Sequence, residues 1–243
     1  MRTIRVLAPG LPTSGGRFDL PAGAAAHVAR VLRLIAGDEL VLFDGCGQEA
    51  TASIAEIRGS TVCVTAAVAV AVDRESPLRL TLVQGVSRGE RMDLVMQKAT
   101  ELGVARLIPV MTERSVVKLD AAQAAKRLQH WQGVVAAACE QSGRAWLPEV
   151  LPPQPLLKWL AQPAAEGESR FLLHPGSSTR ARDLPALRSA TLLIGPEGGL
   201  APQEREAALQ SGFQDLSLGP RILRTETAAL AALAALQAVA GDL

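Results

Sequence analysis

The apolar positions of this chain follow two rhythms, and the change between them divides it. Up to residue 72 the rhythm is that of strands. Leu40–Phe43 and Ala50–Ile57 are apolar runs joined through Asp44-Gly45, a hairpin signal. Thr61–Val72 follows as a β-branched strand, and a short helix carrying His27, Arg30 and Arg33 fits between Ala24 and Leu34. Several short strands with one small helix predict a compact barrel. Asp73-Arg-Glu-Ser-Pro77 is polar and ends in proline, so it reads as a linker between a domain at 1–72 and a second at 78–243.

Beyond the linker, strands alternate with helices. Leu78–Gln84 is a strand, and Glu90–Leu102 carries Met92, Val95, Met96, Ala99 and Leu102 at helical spacing, with Gly103 as its stop. Val104–Met111 is a second strand. Asp120 predicts the N-cap of a helix running to about Cys139, with Leu128, Trp131 and Val135 facing inward. Ser169–His174 and Thr191–Ile194 are further strands, and Pro202 opens a helix over Gln203–Gln210. The last helix, Glu226–Ala240, is nearly all alanine and leucine and should be buried on most sides, against a sheet or a second subunit. This alternation predicts a parallel α/β sheet.

The chemistry concentrates where two apolar runs each end at a Gly-Pro pair shortly before a helix: Thr191-Leu-Leu-Ile-Gly-Pro-Glu-Gly-Gly-Leu200 and Asp215-Leu-Ser-Leu-Gly-Pro-Arg-Ile-Leu-Arg-Thr-Glu-Thr-Ala228. Such loops leave backbone polar groups unpaired at the carboxyl edge of a sheet, where open α/β folds bind ligands. With Glu197, Arg221 and Arg224 they point to a binding site, although two plain strand-to-helix turns would need the same glycines. Arg224 and Glu226 equally fit a helix-start pair, and Arg114 fits an ordinary surface loop. His130 reads as a surface residue, while His174 closes a strand beside a Pro-Gly turn and is a candidate to line a pocket. Gly45-Cys-Gly-Gln-Glu-Ala50 imitates a dinucleotide fingerprint, but the alternating Thr51–Ile57 that follows is no helix, which rejects it.

Composition narrows the classes. A hydrophobic content of 48% with 20% charged residues describes a globular protein. The longest apolar run, Ala228–Leu236, falls short of the roughly 20 residues a bilayer span needs, and the start has no long apolar segment of a secretory signal. The three cysteines, Cys46, Cys63 and Cys139, are widely spaced, as expected of free thiols in a reducing cytosol. Three histidines at 27, 130 and 174 make no metal cluster, and neither a phosphate-binding P-loop nor a serine-hydrolase elbow is present. The net charge of +1 gives no global case for nucleic acid, so RNA contact would need a local patch. Of the 25 basic residues 21 are arginine, suited to forked phosphate contacts, though a codon bias would leave the same trace. With no tyrosine and few other aromatics, a base-stacking platform is not expected.

The paired strings Ile194-Gly-Pro-Glu-Gly-Gly199 and Leu218-Gly-Pro-Arg-Ile-Leu-Arg-Thr-Glu-Thr-Ala228 resemble motifs of the SPOUT methyltransferases, and among them the family that methylates N3 of a uridine in small-subunit ribosomal RNA. The likeness spans nearly the whole chain. His27-Val-Ala-Arg-Val-Leu-Arg33, Gly37-Asp38 and Phe43-Asp-Gly45 are similar to that family's small PUA-like, RNA-binding barrel. Lys98–Val104 with Pro109 and Glu113–Lys118, and Glu140–Arg144 with Pro148, are similar to its catalytic domain. Two positions depart: Arg88 stands where lysine is usual, and His174-Pro175 replaces an acidic pair.

The resemblance implies an α/β fold in which a PUA-like β-barrel precedes a trefoil-knotted methyltransferase domain, in a cytoplasmic homodimer that needs no membrane or metal. It implies S-adenosyl-L-methionine as cofactor, held by Leu172, Leu173, His174, Ile194, Gly195, Pro196, Gly199, Leu218, Gly219, Ile222, Leu223 and Arg224. Ile194, Leu218, Ile222 and Leu223 would give adenine its apolar slot. It implies 16S ribosomal RNA or the small subunit as partner, with Arg17, Arg30, Arg33 and Arg88 as candidate RNA contacts. For the reaction, Arg224 and then Arg114 are candidates to stabilise the anion left when N3 loses its proton, and Glu197 either accepts that proton or holds its loop. A related enzyme acting on a ribose 2′-OH and a noncatalytic assembly factor are the alternatives.

Overall fold

Two hydrogen-bonded sheets organise the computed structural model, which describes residues 3–174 and 176–243, and each sheet has its own compact unit. The first unit takes Met1–Glu75 together with Cys139–Leu147, and the second takes Ser76–Ala138 and Pro148–Leu243. A single cut at a linker does not reproduce this division, because residues 139–147 return to the first unit.

The first unit contains β1 (Arg5–Leu7), β2 (Gly16–Asp19), β3 (Glu39–Phe43), β4 (Gln48–Arg58), β5 (Thr61–Ala66) and β6 (Val70–Ala71). They pair in the order β1-β3-β4-β5-β2, with β6 beside β4, and only the β1–β3 pair is parallel. The period-2 pattern sends Val62, Val64 and Ala66 of β5 inward against Val6, Leu42 and Ile54. The predicted hairpin forms, with Asp44 Oδ1 accepting from the amides of Cys46 (2.6 Å) and Gln48 (3.0 Å). Since Gln48 begins a strand, the dinucleotide-like string carries no helix. The short helix α1 (Ala22–Ala26) continues as a π-helical turn over His27–Leu32 and ends at Arg33, whose φ of 54° is left-handed.

Residues 139–147 are held to this sheet by charge and shape. The Glu49 carboxylate, nearly buried, receives Arg5 at 2.6 Å and Arg74 at 2.7 Å. The same arginines reach the carbonyls of Arg144 (3.2 Å) and Gly143 (2.8 Å). Arg144 pairs with Glu75, and Glu140 accepts from the Leu7 amide at 3.1 Å. At Gly47, with φ at +92°, an added Cβ would lie 2.6 Å from the Trp146 ring, so only glycine admits that indole. Burial pushes the Cys139 thiol up to about 12, which keeps it protonated and unreactive.

The second unit contains β7 (Arg79–Gly85), β8 (Val104–Met111), β9 (Glu149–Val150), β10 (Gln154–Pro155), β11 (Ser169–Leu173), β12 (Ser189–Ile194) and β13 (Gln214–Leu216). Between and after them run α2 (Glu90–Glu101), α3 (Ala121–Ser142, whose last turn belongs to the first unit), α4 (Leu156–Leu160), α5 (Pro202–Gln210) and α6 (Thr225–Ala240). The sheet is parallel throughout, in the order β10-β8-β7-β12-β11-β13, with β9 also on β8. β7 and β12 are covered on both faces, which explains their nearly unbroken apolar runs. Asp120 caps α3 as expected, its Oδ1 accepting from the Gln123 amide at 2.8 Å, while Leu128 is only half-buried. α6 packs on α2, β7 and β12 through Ala229, Ala232, Leu233 and Leu236; Thr225 and Gln237 are buried as well, and its other residues are half-buried or exposed. Its fully buried Gln237 donates to Leu102 O at 2.8 Å and accepts from Ser76 Oγ at 2.6 Å.

Burial alone would raise the Glu49 pKa, but hydrogen bonds from Arg74 and Arg5 outweigh it and hold the carboxyl below the usual range. A depressed folded pKa contributes stability that is complete above the unfolded value, near 4.3, and is lost as pH falls through the folded one. Glu49→Gln should therefore destabilise the protein by about 2 kcal/mol at neutral pH. In urea unfolding measured across pH, the gap to wild type should shrink below about pH 4.

Candidate functional site

Strand order reverses around β7 and β12, and the loops that leave their carboxyl ends converge there, as expected at a topological switch point. The two Gly-Pro loops, 195–201 after β12 and 217–224 after β13, meet through one residue. Thr225, the first residue of α6, donates its hydroxyl to Gly195 O at 2.6 Å and accepts from Gln84 Nε2 at 2.9 Å. Gln84 also donates to Gly85 O at 3.0 Å. At Gly85 an added Cβ would sit 2.4 Å from Pro196 N and 2.5 Å from its Cδ, so the end of β7 touches the loop after β12 backbone to backbone. Gly199, at φ +69°, closes a turn by donating its amide to Pro196 O at 2.8 Å.

These loops enclose a cleft of about 690 Å³. Leu172, Leu173 and His174 line it from the end of β11; Ile194, Gly195, Pro196, Glu197 and Gly199 line it from the first Gly-Pro loop; Leu218, Gly219, Ile222, Leu223 and Arg224 line it from the second. Three segments that are distant in sequence thus share one cavity. Leu172 and Ile194 are buried in its floor, whereas the Ile222 side chain is 86% exposed and stands at the rim. The His174 amide donates to Leu216 O at 3.1 Å, tying the ends of β11 and β13 together. Pro175, the other half of the unusual pair, lies outside the described residues.

The charged groups differ in how fully they are occupied. Glu197 Oε1 accepts from Arg91 Nη1 at 2.9 Å and from the Arg88 amide at 3.3 Å. Burial of Glu197 opposes its ionisation, but its own backbone amide, that of Arg88 and the Arg91 side chain prevail and hold its carboxyl below the usual range. Arg91 also directs Nε toward Glu226 Oε1 at 4.0 Å. Glu226 Oε2 is buried and has no hydrogen-bond partner among the described residues.

Arg114 does not line the cleft. It lies in the loop after β8, with Nη1 3.3 Å from Gly198 O, and Gly198 is close enough that an added Cβ would come within 3.1 Å of Arg114 Cβ. That loop is braced by Glu204, a buried carboxylate that accepts from the Glu113 amide at 2.8 Å and from the Ala201 amide at 2.9 Å. Of the other predicted arginines, Arg17, Arg30 and Arg33 are exposed on the first unit, with Arg17 near Glu56 at 3.4 Å. Arg88 is exposed on the second unit, in the loop after β7. His130 is an exposed partner of Asp93 at 2.9 Å. Among the described residues, no cluster of His, Cys, Asp or Glu side chains is placed to hold a metal ion, and no helix is long and apolar enough to cross a membrane.

Arg91, Glu204, Gln84 and Thr225 escape a reading of the sequence. For Glu204 a signal exists, since it stands three residues after the last non-helical residue, where an acid reaches back to the N-terminal amides. For Arg91 and Gln84 the sequence offers only a helical and a strand position, and their partners are more than 100 residues away.

The arrangement has relatives. A family model of an RNA methyltransferase domain matches residues 74–237, and a model of an RNA methyltransferase PUA domain matches residues 20–66. The chain is 35% identical over 218 residues to the ribosomal RNA small subunit methyltransferase E of Buchnera aphidicola subsp. Schizaphis graminum, covering 89% of this chain and 88% of that protein. Its fold is similar to that of a Legionella pneumophila protein solved in complex with the bound cofactor SAM (TM-score 0.94, 44% identity, all of both chains). It is also similar to a ribosomal RNA small subunit methyltransferase E from Neisseria gonorrhoeae bound to S-adenosyl methionine (TM-score 0.90, 38% identity, all of both chains).

Gly85→Ala tests the close approach on which the cleft depends. The added methyl has backbone, not a flexible side chain, in its way. The substitution should lower stability by about 1–3 kcal/mol and weaken ligand binding in the cleft at temperatures where the protein remains folded, read by thermal unfolding and calorimetry.

Proposed function

Because this chain belongs to the ribosomal RNA small subunit methyltransferase E family, we propose that it transfers a methyl group from S-adenosylmethionine to N3 of a uridine in 16S ribosomal RNA. The observation that carries this reading is the joining of the two Gly-Pro loops, through Thr225, into one cleft at the strand ends.

The residues present fit the cofactor. The cleft is of small-molecule size, its floor is apolar at Leu172, Ile194 and Leu223, and loops rich in glycine bring backbone donors and acceptors to its wall. Leu172–His174, Ile194–Gly199 and Leu218–Arg224 would hold it, with Ile222 covering it from the rim. When bound, the cofactor supplies an electrophilic methyl group on a sulfonium.

The chain's own residues then orient and stabilise. Arg224, exposed at the N-cap of α6 and lining the cleft, is placed to receive the negative charge that appears on a uracil oxygen when N3 loses its proton. Arg114 is the second cation, on the neighbouring loop. Glu197, whose Oε1 accepts from both the Arg91 side chain and the Arg88 amide, serves as the brace that fixes the first Gly-Pro loop to α2.

The exposed Arg17, Arg30 and Arg33 of the PUA-like unit and Arg88 of the catalytic unit are the proposed RNA contacts. The partly covered surface of α6 favours a homodimer, and the insertion of Thr225 between β7 and the loop after β12 favours a knotted path for the chain end. A ribosomal RNA substrate favours a cytoplasmic location.

Nucleoside analysis of 16S rRNA from a deletion strain tests the reading: 3-methyluridine should disappear and return on incubation with purified protein. Loss of a 2′-O-methyl mark instead would sink it. Arg224→Ala should lower kcat by about 10²-fold while changing cofactor affinity by less than about threefold. An equal fall in both would make Arg224 a cofactor contact only.

A further inference from the structure

Methylation at N3 requires a group to take the N3 proton, and the cleft holds two carboxylates in contrasting states. Glu197 is spoken for by the Arg88 amide and the Arg91 guanidinium, and these donors favour its ionised form. Glu226, in the first turn of α6, faces Arg91 only through Oε1, at 4.0 Å, while its Oε2 is buried with no donor among the described residues. Leaving a buried carboxylate oxygen unmet costs about 1–3 kcal/mol, so such an atom calls for a partner that arrives with a ligand. Glu226 lines the same cleft as Arg224, two residues earlier in the same turn.

We infer that Glu226 is the proton acceptor of the reaction, its Oε2 receiving the N3–H of the bound uridine while Arg224 meets the charge on the uracil oxygen. This rests on the proposed uridine N3 activity. The N3–H bond breaks and its proton passes to Oε2. The nitrogen pair forms the bond to the methyl carbon, and the electron pair of the carbon–sulfur bond returns to sulfur, leaving S-adenosylhomocysteine. The proton then leaves Glu226 for solvent through the mouth of the cleft. Arg91 from α2 holds both carboxylates in place. The other charged or titratable groups facing the cleft are Glu197 and Arg205 beside the first Gly-Pro loop, Arg221 and Arg224 from the second, and His174 from β11. Arg205 is taken by Asp215, and the Arg221 side chain can offer only protons.

Glu226→Gln keeps the shape and removes the basic site. In the full-length protein, with a 16S rRNA fragment as substrate, the variant should lose about 10²- to 10⁴-fold in kcat. Calorimetric affinity for S-adenosylmethionine should stay within about twofold of wild type, as should the melting behaviour. The variant's rate should climb more steeply with pH than that of wild type, because ionised uridine needs no base. A fragment carrying 5-fluorouridine, whose N3–H is more acidic, should recover much of the loss. A variant that keeps wild-type kcat, or one whose cofactor affinity falls in step with its rate and is not rescued by the acidic nucleoside, overturns the assignment. If Gln cannot be tolerated, Glu226→Asp in the same assays should show the same selective rescue, and its absence counts against the proposal. Wild-type protein that makes no 3-methyluridine sinks the underlying reading as well, whereas an active wild type with an unimpaired variant sinks this assignment alone.

Discussion

The Thr225 hydroxyl is the joint on which the site depends. It binds a carbonyl 30 residues before it and a buried amide side chain 141 residues before it, and Thr225 is itself buried. A hydroxyl is suited to this task because it donates and accepts at once, and the two bonds use both capacities. Through it, the end of β7, the loop after β12 and the start of α6 become one object. The glycine at 85 removes the side chain that would keep β7 from Pro196, and the glycine at 195 lets its own loop fold back onto Gly199.

Carboxylates recur through the molecule in very different circumstances, and the circumstance sets the role. Glu49 is enclosed by two arginines and fastens residues 139–147 to the first sheet. Glu204 is buried but satisfied by two amides, so it ties the start of α5 to the loop after β8. Glu197 is spent on a backbone amide and an arginine. Glu226 alone of these keeps a buried oxygen without a donor among the described residues, and it is a residue that lines the cleft. A carboxylate braced on every side positions something; one left open has capacity for chemistry.

The elements were largely legible in the chain. Hairpin chemistry at Asp44-Gly45, the cap at Asp120, the stop at Gly103 and the proline opening α5 are local signals, and each operates within a few residues. The loops of the cleft were legible too, since Gly-Pro pairs at the ends of apolar runs mark places where the backbone is held open. Other features lay beyond that range. The return of residues 139–147 to the first unit depends on Arg5, Arg74 and Glu49, whose separations no periodicity records. Ile222 looked like a wall of the slot and stands at its rim, because apolar character does not say which side of a loop faces the cavity.

Short-range pattern and backbone freedom by themselves determined the α/β class, the main strands and helices and the two Gly-Pro loops, whereas the grouping of Leu172–His174 with those loops came from the family resemblance. Only the tertiary structure decided which charges are used up and which remain open. Arg91 reaches Glu197 across 106 residues, and nothing near either position in the chain announces that the pairing leaves Glu226 partly unclaimed. Hydrogen-bond capacity is a property of neighbours in space, and those neighbours exist only once the sheet has brought its strand ends together.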